Sequence, residues 1–531
     1  MRSRGLVSRA GAAALALGML VGAAQSASGN PRSDLAVTQG FRKAVTLEGI
    51  REHQAAFQSF SDANGGNRVG GSAGYEASAN YVVQKLQEAG YEVTSHYFNF
   101  LFNADRTPPV LRQVSPTATS YVDGVDFASM TFSPNGHVTT SVWAVDLVLP
   151  PGPADNTSTS GCESSDFAGF PAGSIALMQR GTCNFAVKAA NAATAGATGA
   201  VIFNEGQFGR TSVVSGTLGG AQSHSVPVVG TTFALGSDLA NGVQNGATGS
   251  TVELKVDRVN ETRTTRNIIA ETSGGDPNNV VVVGAHLDSV SRGAGINDNG
   301  SGSAAILEVA ESLRDRAADV RNKIRFMWFG AEEFGLLGSQ AYVASLPQSE
   351  RDKIEMMLNF DMIGSPNFVR FIYDGDNSAF PPQGTLVQEG PEGSGDIEAV
   401  FRDYFTAMGL ASEETPFSGR SDYGPFIAAG VDIPAGGLFT GAEGIKTATQ
   451  AAVYGGTAGA QFDPCYHLAC DTFANVDLTG LDQMSDAVAH AVLTFARRDF
   501  TRFPLTDPET TATSGTGGGG GLHDHHEEEA S

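Results

Sequence analysis

Beyond Asn267 the chain repeats one unit, an apolar strand followed by a loop and a helix, and this alternation constrains its folding more than any other feature. The pattern predicts strands at residues 279–286, 323–329, 357–363 and 433–439, and helices at 302–313, 397–408 and 483–497. A strand that is apolar throughout must be covered on both faces, and helical crossovers place it beside parallel neighbours. The expected class is α/β, a mostly parallel sheet sandwiched by helices.

The preceding chain has a different texture. Helical spacing predicts helices at 45–60 and 75–89, with Gly90 as the stop, then a strand from Tyr91 that Pro108 and Pro109 break. From about 120 to 260, short Val-rich strands, Gly/Ser/Thr turns and one small-residue helix at 186–195 predict a β-rich module with its own core. The 531 residues, 41% apolar and 17% charged, are too many for one typical domain and too apolar for a disordered chain. The expected division is a first part of the main domain at 35–118, the inserted module at 119–262, the main part at 263–503 and a tail at 504–531.

Both termini carry their own signals. Arg2, Arg4 and Arg9 precede an apolar run ending at Ala24, and Ala24-Gln25-Ser26-Ala27 supplies a small-residue cleavage site, so residues 1–26 read as a secretory signal peptide. The run is shorter than the roughly 20 residues a membrane span needs. The expected mature protein is secreted, with no membrane segment. The tail contains five consecutive Gly before Leu522 and ends in a His- and Glu-rich run, the composition of a solvated disordered segment. Four cysteines form two short-range pairs, Cys162 with Cys183 and Cys465 with Cys470, which fits two local disulfides in an oxidising compartment. A net charge of −24 disfavours a nucleic-acid partner.

In an open α/β sheet, ligands bind outside the carboxyl ends of the strands. Here those ends are His286-Leu287-Asp288, Glu332-Glu333 and Asp361. Between the first two, a turn over 293–302 delivers Asp298 just before a helix, and far downstream His467 sits between Cys465 and Cys470. Each piece has an ordinary reading: a hydrogen-bonded His-x-Asp pair, a solvated Glu-Glu corner, an Asp that caps a helix. Together, two imidazoles and four or five carboxylates at one sheet edge fit paired zinc sites. The sequon-like Asn299-Gly300-Ser301 within this turn is not read as glycosylated.

The matching stretches are Gly65-Gly66-Asn67-Arg68, Gly284-Ala285-His286-Leu287-Asp288, Gly295-Ile296-Asn297-Asp298-Asn299-Gly300, Gly330-Ala331-Glu332-Glu333, Asn359-Phe360-Asp361-Met362, Gly419-Arg420-Ser421-Asp422 and Cys465-Tyr466-His467. On these the chain resembles the family of secreted double-zinc aminopeptidases that includes the Streptomyces enzyme and aminopeptidase Y. The inserted module resembles a protease-associated (PA) domain through residues 161–162, 174–183, 188–191, 195–197 and 200–204. The resemblance implies two zinc ions bridged by Asp298, with His286 and Asp361 completing one site and Glu333 and His467 the other. It implies Asp288 as acceptor of the second ring proton of His286, Glu332 as general base and Tyr466 as donor to the oxyanion.

The same resemblance implies that Arg420 holds substrate polar groups, that Glu414 binds the free amino terminus, and that Met362, Gly419 and Phe439 line an apolar pocket favouring residues such as Leu. Asp482 and Asp486 match two carboxylates of a calcium site in the Streptomyces enzyme. The first ligand of that site falls near Ala44, which offers no side-chain oxygen, so a solvated helix face is the preferred reading. The expected function is a monomeric aminopeptidase acting on peptides with a free amino terminus. A zinc carboxypeptidase for acidic peptides would need more cations than Arg420, and a non-catalytic binding protein on this fold would have lost ligands that are all present. A single-zinc glutaminyl cyclase would not need the second ligand set.

Overall fold

Two eight-stranded sheets divide the chain in the computed structural model, which describes residues 31–500 apart from 208–209, 315, 317–319 and 385–386. The predicted signal peptide and the Gly-rich tail lie outside the described residues. The first sheet runs in the order Glu92–Asp105, Arg258–Glu271, Asn322–Phe329, Asp276–His286, Ile354–Phe360, Ala435–Phe439, Phe371–Tyr373, Glu413–Thr415. Its four central strands are parallel. Arg258–Glu271 pairs antiparallel with both of its neighbours, and Phe371–Tyr373 antiparallel with Ala435–Phe439, so the sheet is parallel at its centre and mixed at its flanks.

The central strand Asp276–His286 shows why this sequence needs cover on both sides. Val281, Val283 and Ala285 enter one core with the helices Leu47–Ala63, Gly300–Leu313 and Leu478–Arg497, whereas Val280 and Val282 enter another with Tyr342, Val343 and Phe426. Successive side chains of a strand alternate faces, so a run of four valines is satisfied only between two helical layers. The helices begin at side-chain caps: Thr46 accepts from the Gly49 amide at 3.1 Å, and Asp477 from Gly480 at 2.7 Å.

The second sheet contains strands from Val110–Ser115 to Gly246–Val256 and has its own core around Leu111, Ile175, Leu177, Val201 and Val229. A disulfide joins Cys162 to Cys183. A long ribbon connects the two bodies, with register running from Glu92 opposite Glu271 to Asp105 opposite Arg258. The strands of the second sheet therefore fall between Asp105 and Arg258 in the chain, beside the expected module bounds of 119 and 262. The reason is pairing: Arg258–Glu271 belongs by hydrogen bonding to the first sheet and Val110–Ser115 to the second, which local composition does not reveal.

The last helix carries an acid-sensitive group. His490 is buried against Tyr404, its Nδ1 lies 2.8 Å from the Thr38 hydroxyl, and burial, with Arg42 nearby, pushes its pKa down to about 3. The folded state keeps this ring neutral, whereas the unfolded chain takes up a proton below about 6.5. Its stabilising contribution is therefore complete above pH 6.5 and is lost as the pH falls from 6.5 toward 3. Thermal melts across that window should show a shallower acid decline for His490→Gln than for the unmodified chain; equal slopes would count against the assignment.

Candidate metal centre

Chain order around the central strand creates the crevice. The connection leaving Asp276–His286 passes to Asn322–Phe329 on one side, and the connection leaving the adjacent Ile354–Phe360 leads to Phe371–Tyr373, which lies on the other side beyond Ala435–Phe439. Divergent connections leave a gap at the carboxyl ends of the two neighbouring strands, where ligands bind in folds of this kind. His286 ends the first of these strands and Asp361 follows the second.

His286 is 1% exposed, and its Nε2 lies 3.2 Å from Asp298 Oδ1 and 3.3 Å from Asp361 Oδ1. His467 Nε2 lies 3.2 Å from the other oxygen of Asp298, Oδ2, and 3.0 Å from Glu333 Oε2. Asp298 thus turns one carboxylate oxygen to each imidazole. It can do so because the next residue takes over the capping role: Asn299 Oδ1 accepts from the Gly302 amide at 2.9 Å, and its Nδ2 donates to the Phe360 carbonyl at 2.9 Å.

Backbone geometry concentrates strain at these positions. Ala331, Met362 and His467, each a site candidate or directly beside one, have φ of 58°, 50° and 58°. Left-handed conformations at non-glycine residues cost about 1–3 kcal/mol each and persist only where the surroundings impose them. The disulfide Cys465–Cys470 brackets His467. The kink at Ala331 turns Glu332 and Glu333 off the end of their strand, and Asp288 fastens it, accepting from the amides of Glu332 at 3.1 Å and Glu333 at 3.4 Å.

Asp288, expected to accept the second ring proton of His286, also lies beside that ring. His286 Nδ1 is 3.2 Å from the Asp288 backbone carbonyl and 3.8 Å from its carboxylate. The main-chain carbonyl is the nearer acceptor, and the carboxylate also braces the Glu332–Glu333 turn. Burial pushes Asp288 up to about 7, against the pull of His286.

Several supporting residues were not assigned from sequence. Arg68 is fully buried; its guanidinium donates to the carbonyls of Ala294 at 2.9 Å, Gly295 at 2.6 Å and Leu287, and its amide to Ser289 Oγ at 2.9 Å. Asp471 accepts from the amides of Asn297 at 2.8 Å and Asp298 at 3.0 Å. Asp463 accepts from Asn297 Nδ2 at 2.6 Å, and Ser421 donates to Asp361 Oδ2 at 2.6 Å. Arg68 and Ser421 lie in stretches that carried the family resemblance, but nothing local in the sequence indicates which carbonyl or carboxylate they meet.

The donor set fits zinc on its own chemistry. Asp288, Asp298, Glu332, Glu333, Asp361 and Asp422 bring six buried or nearly buried carboxylates together around two imidazoles. Burial pushes Asp422 up to about 7 and Glu332 well above the usual carboxylate range. Such crowding is unfavourable without compensating cations. Glu333 Oε1 and Asp361 Oδ1 are buried with no hydrogen-bond partner. Zinc–ligand bonds of about 2.0–2.1 Å in a tetrahedral site place donors about 3.3 Å apart, close to the four imidazole–carboxylate distances above.

The remaining candidates divide. Glu332 Oε2 lies 4.0 Å from His286 Nε2, inside the group. The Tyr466 ring stacks on His467 with centroids 3.8 Å apart, and its hydroxyl is 3.4 Å from Arg420 Nη2, whose other arm meets Glu443 at 2.8 Å. Met362 directly follows Asp361, Phe439 ends the neighbouring strand, and Gly419 precedes Arg420. Gly419 has φ of 75°, and a Cβ there would come within 1.9 Å of Gln388 Nε2.

Glu414 does not join them. It lies on the edge strand Glu413–Thr415 opposite Ile372, its carboxylate 3.8 Å from Arg402, and it lines a cavity of about 540 Å³ with Ile372, Phe380 and Arg402. The alternation of side chains along that strand turns Glu414 toward the helix Ser394–Met408, so its expected role as amine anchor has no geometric support. Asp482 and Asp486 are one turn apart on the last helix, and Arg42 places a fixed cation 4.0 Å from Asp486. Arg292 of the metal-site loop meets Asp123 of the inserted body at 2.9 Å. No helix among the described residues is long and apolar enough to cross a membrane.

Comparison with known proteins agrees with the resemblance carried by the motifs. The model of peptidase family M28 matches residues 267–492, and that of the PA domain matches residues 144–239. An aminopeptidase of Pseudomonas aeruginosa (strain UCBPP-PA14) is 48% identical over 452 residues, 85% of this chain and 81% of that one. Leucine aminopeptidase 2 of Trichophyton equinum is 39% identical over 489 residues, 92% of this chain and 91% of that one. A solved zinc aminopeptidase from Bacillus subtilis aligns with a TM-score of 0.55 and 25% identity, covering 83% of this chain and 94% of that one.

Proposed function

The chain belongs to peptidase family M28, and from that premise we propose that it is exported and removes amino-terminal residues from peptides with two zinc ions held by His286, Asp298, Glu333, Asp361 and His467. It is a zinc-dependent metallo-aminopeptidase with an inserted PA domain. The observation that carries the two-ion reading is Asp298, whose two oxygens each lie 3.2 Å from a different imidazole. One carboxylate facing two separate nitrogen donors is the arrangement of a bridging ligand. Export is supported by the amino-terminal signal read from the sequence and by two disulfides, which persist in oxidising compartments.

Zinc, when bound, supplies Lewis acidity and lowers the pKa of water to about 7. Glu332, beside the ligands and braced through its amide by Asp288, takes the proton of the attacking water on its carboxylate and gives it to the departing amine nitrogen. Tyr466, held by stacking on His467, donates its hydroxyl hydrogen bond to the oxyanion of the cleaved bond. Arg420, beside that hydroxyl, orients substrate polar groups at the rim. The carboxylate-rich centre attracts the free amine of the substrate. Met362 and Phe439 supply apolar surface for the first side chain, and a Leu preference accords with the name of the Trichophyton relative.

Leucine p-nitroanilide should be cleaved and its N-acetyl form left intact, with activity lost on chelation and restored by zinc. Equal cleavage of both compounds would remove the requirement for a free amine, and cleavage that survives chelation would remove the metal. Tyr466→Phe should lower kcat by about 100-fold with little change in KM, the pattern of an interaction made only in the transition state. A raised KM with unchanged kcat would assign the hydroxyl to ground-state binding instead.

A further inference from the structure

We propose that the helical layer holds a further zinc-class cation site, separate from the sheet-edge centre, made by His53, Glu308 and Glu311. Glu308 and Glu311 are three residues apart on the helix Gly300–Leu313 and therefore share a face. His53 presents its ring from the facing helix Leu47–Ala63. Its Nε2 lies 3.6 Å from Glu308 Oε2 and 3.4 Å from Glu311 Oε2.

The ring is 1% exposed, and this nitrogen makes no hydrogen bond, whereas Nδ1 lies 2.9 Å from the Tyr81 hydroxyl. The pattern repeats the one at the catalytic centre: a buried imidazole with one nitrogen fixed by an oxygen and the other facing two carboxylates near the donor spacing of about 3.3 Å around tetrahedral zinc. A proton is the competing occupant, since the two carboxylates raise the basicity of His53 against the opposing effect of burial. A single N–H points along one line, while the Nε2 faces both carboxylates at distances too long for a good hydrogen bond to either. A divalent cation engages all three donors at once.

The surroundings fix the donors. Glu308 Oε1 accepts from both the amide and the hydroxyl of Thr46 at 3.1 Å, which leaves Oε2 for the site. A Cβ on Gly49 would come within 2.3 Å of that same Oε2, so glycine there keeps the carboxylate in place. The Glu311 side chain is 25% exposed and gives access from solvent; Lys85, 4.0 Å from its other oxygen, also pairs with Glu52 at 3.2 Å and so can leave that side open. One nitrogen and two carboxylate oxygens suit zinc and its transition-metal neighbours, whereas calcium requires six to eight oxygens. A cation here ties the helix Leu47–Ala63 to the helix whose first turn follows Asp298.

The test compares zinc bound per chain in the zinc-saturated, desalted enzyme with that in His53→Gln, by elemental analysis, alongside leucine p-nitroanilide turnover. The expected result is loss of one zinc per chain with turnover within about twofold. Equal zinc in the two proteins would overturn the site and leave a protonated His53 between two carboxylates. Because the variant could fail to fold, the unmodified protein is also examined by anomalous scattering at the zinc edge. A peak between His53 Nε2 and the carboxylates supports the site, and the lack of one there overturns it.

Discussion

Glu332→Gln is expected to lower kcat for leucine p-nitroanilide by about 10²–10⁴-fold, the range for loss of a positioned general acid–base, while bound zinc stays unchanged. Gln keeps the shape and removes the ability to carry a proton. The side chain sits in a pocket already crowded by Glu333, Asp361 and Asp422, and burial and those charges favour protonation of Glu332, tempered by His286. A group that must both take and return a proton works best when its pKa is drawn from the carboxylate range toward neutrality. Retained turnover would remove Glu332 from proton transfer. Lost zinc would instead make it a ligand, beside His286 and Asp361.

Arg68→Met should be the most damaging change outside the reacting groups, costing about 3–5 kcal/mol of peptidase-domain stability and weakening zinc retention. The guanidinium is the hub of the loop that follows His286: it meets three carbonyls between Leu287 and Gly295, and its charge lies among Asp288, Asp471, Asp298 and Glu333. Burial pulls its pKa down to about 10, yet it stays charged at neutral pH. Methionine fills much of the volume but leaves the carbonyls unpaired, at about 1–3 kcal/mol each, and lets the turn carrying Asp298 relax. Arg68→Lys should be intermediate, because an ammonium cannot reach all three acceptors in a fixed fork. Thermal unfolding and chelator competition measure both effects; a melt within about 0.5 kcal/mol of the unmodified protein would show that the loop holds itself.

The metal-ligand candidates were legible because each belongs to a short local pattern. His286, Glu333 and Asp361 follow apolar strands, Asp298 sits in a Gly-rich turn before a helix, and His467 lies between two cysteines five residues apart. Strand polarity alone then brings the first four to one edge. Glu414 shows what a local pattern leaves open: a difference of one residue turns a strand side chain to the opposite face, and its place opposite Ile372 on the edge strand comes from pairing. Asp288 was placed correctly beside His286, but its carboxylate serves residues 44 and 45 positions later, a link no local pattern contains.

By itself, then, the sequence determined the alternating strands and helices, the residue types at the strand ends, the chemistry those types suit and the presence of an inserted module. These depend on covalent neighbours and on periodicity, which are properties of the chain before it folds. Tertiary structure decided which carboxylate oxygen faces which imidazole, where the long ribbon hands over to the second sheet, and how Arg68, Asp471 and Asp463 hold the metal loop from positions separated by up to 227 residues. The reason is physical: a buried polar group is stable only with a partner, and in a folded core that partner is chosen by packing in space rather than by distance along the chain.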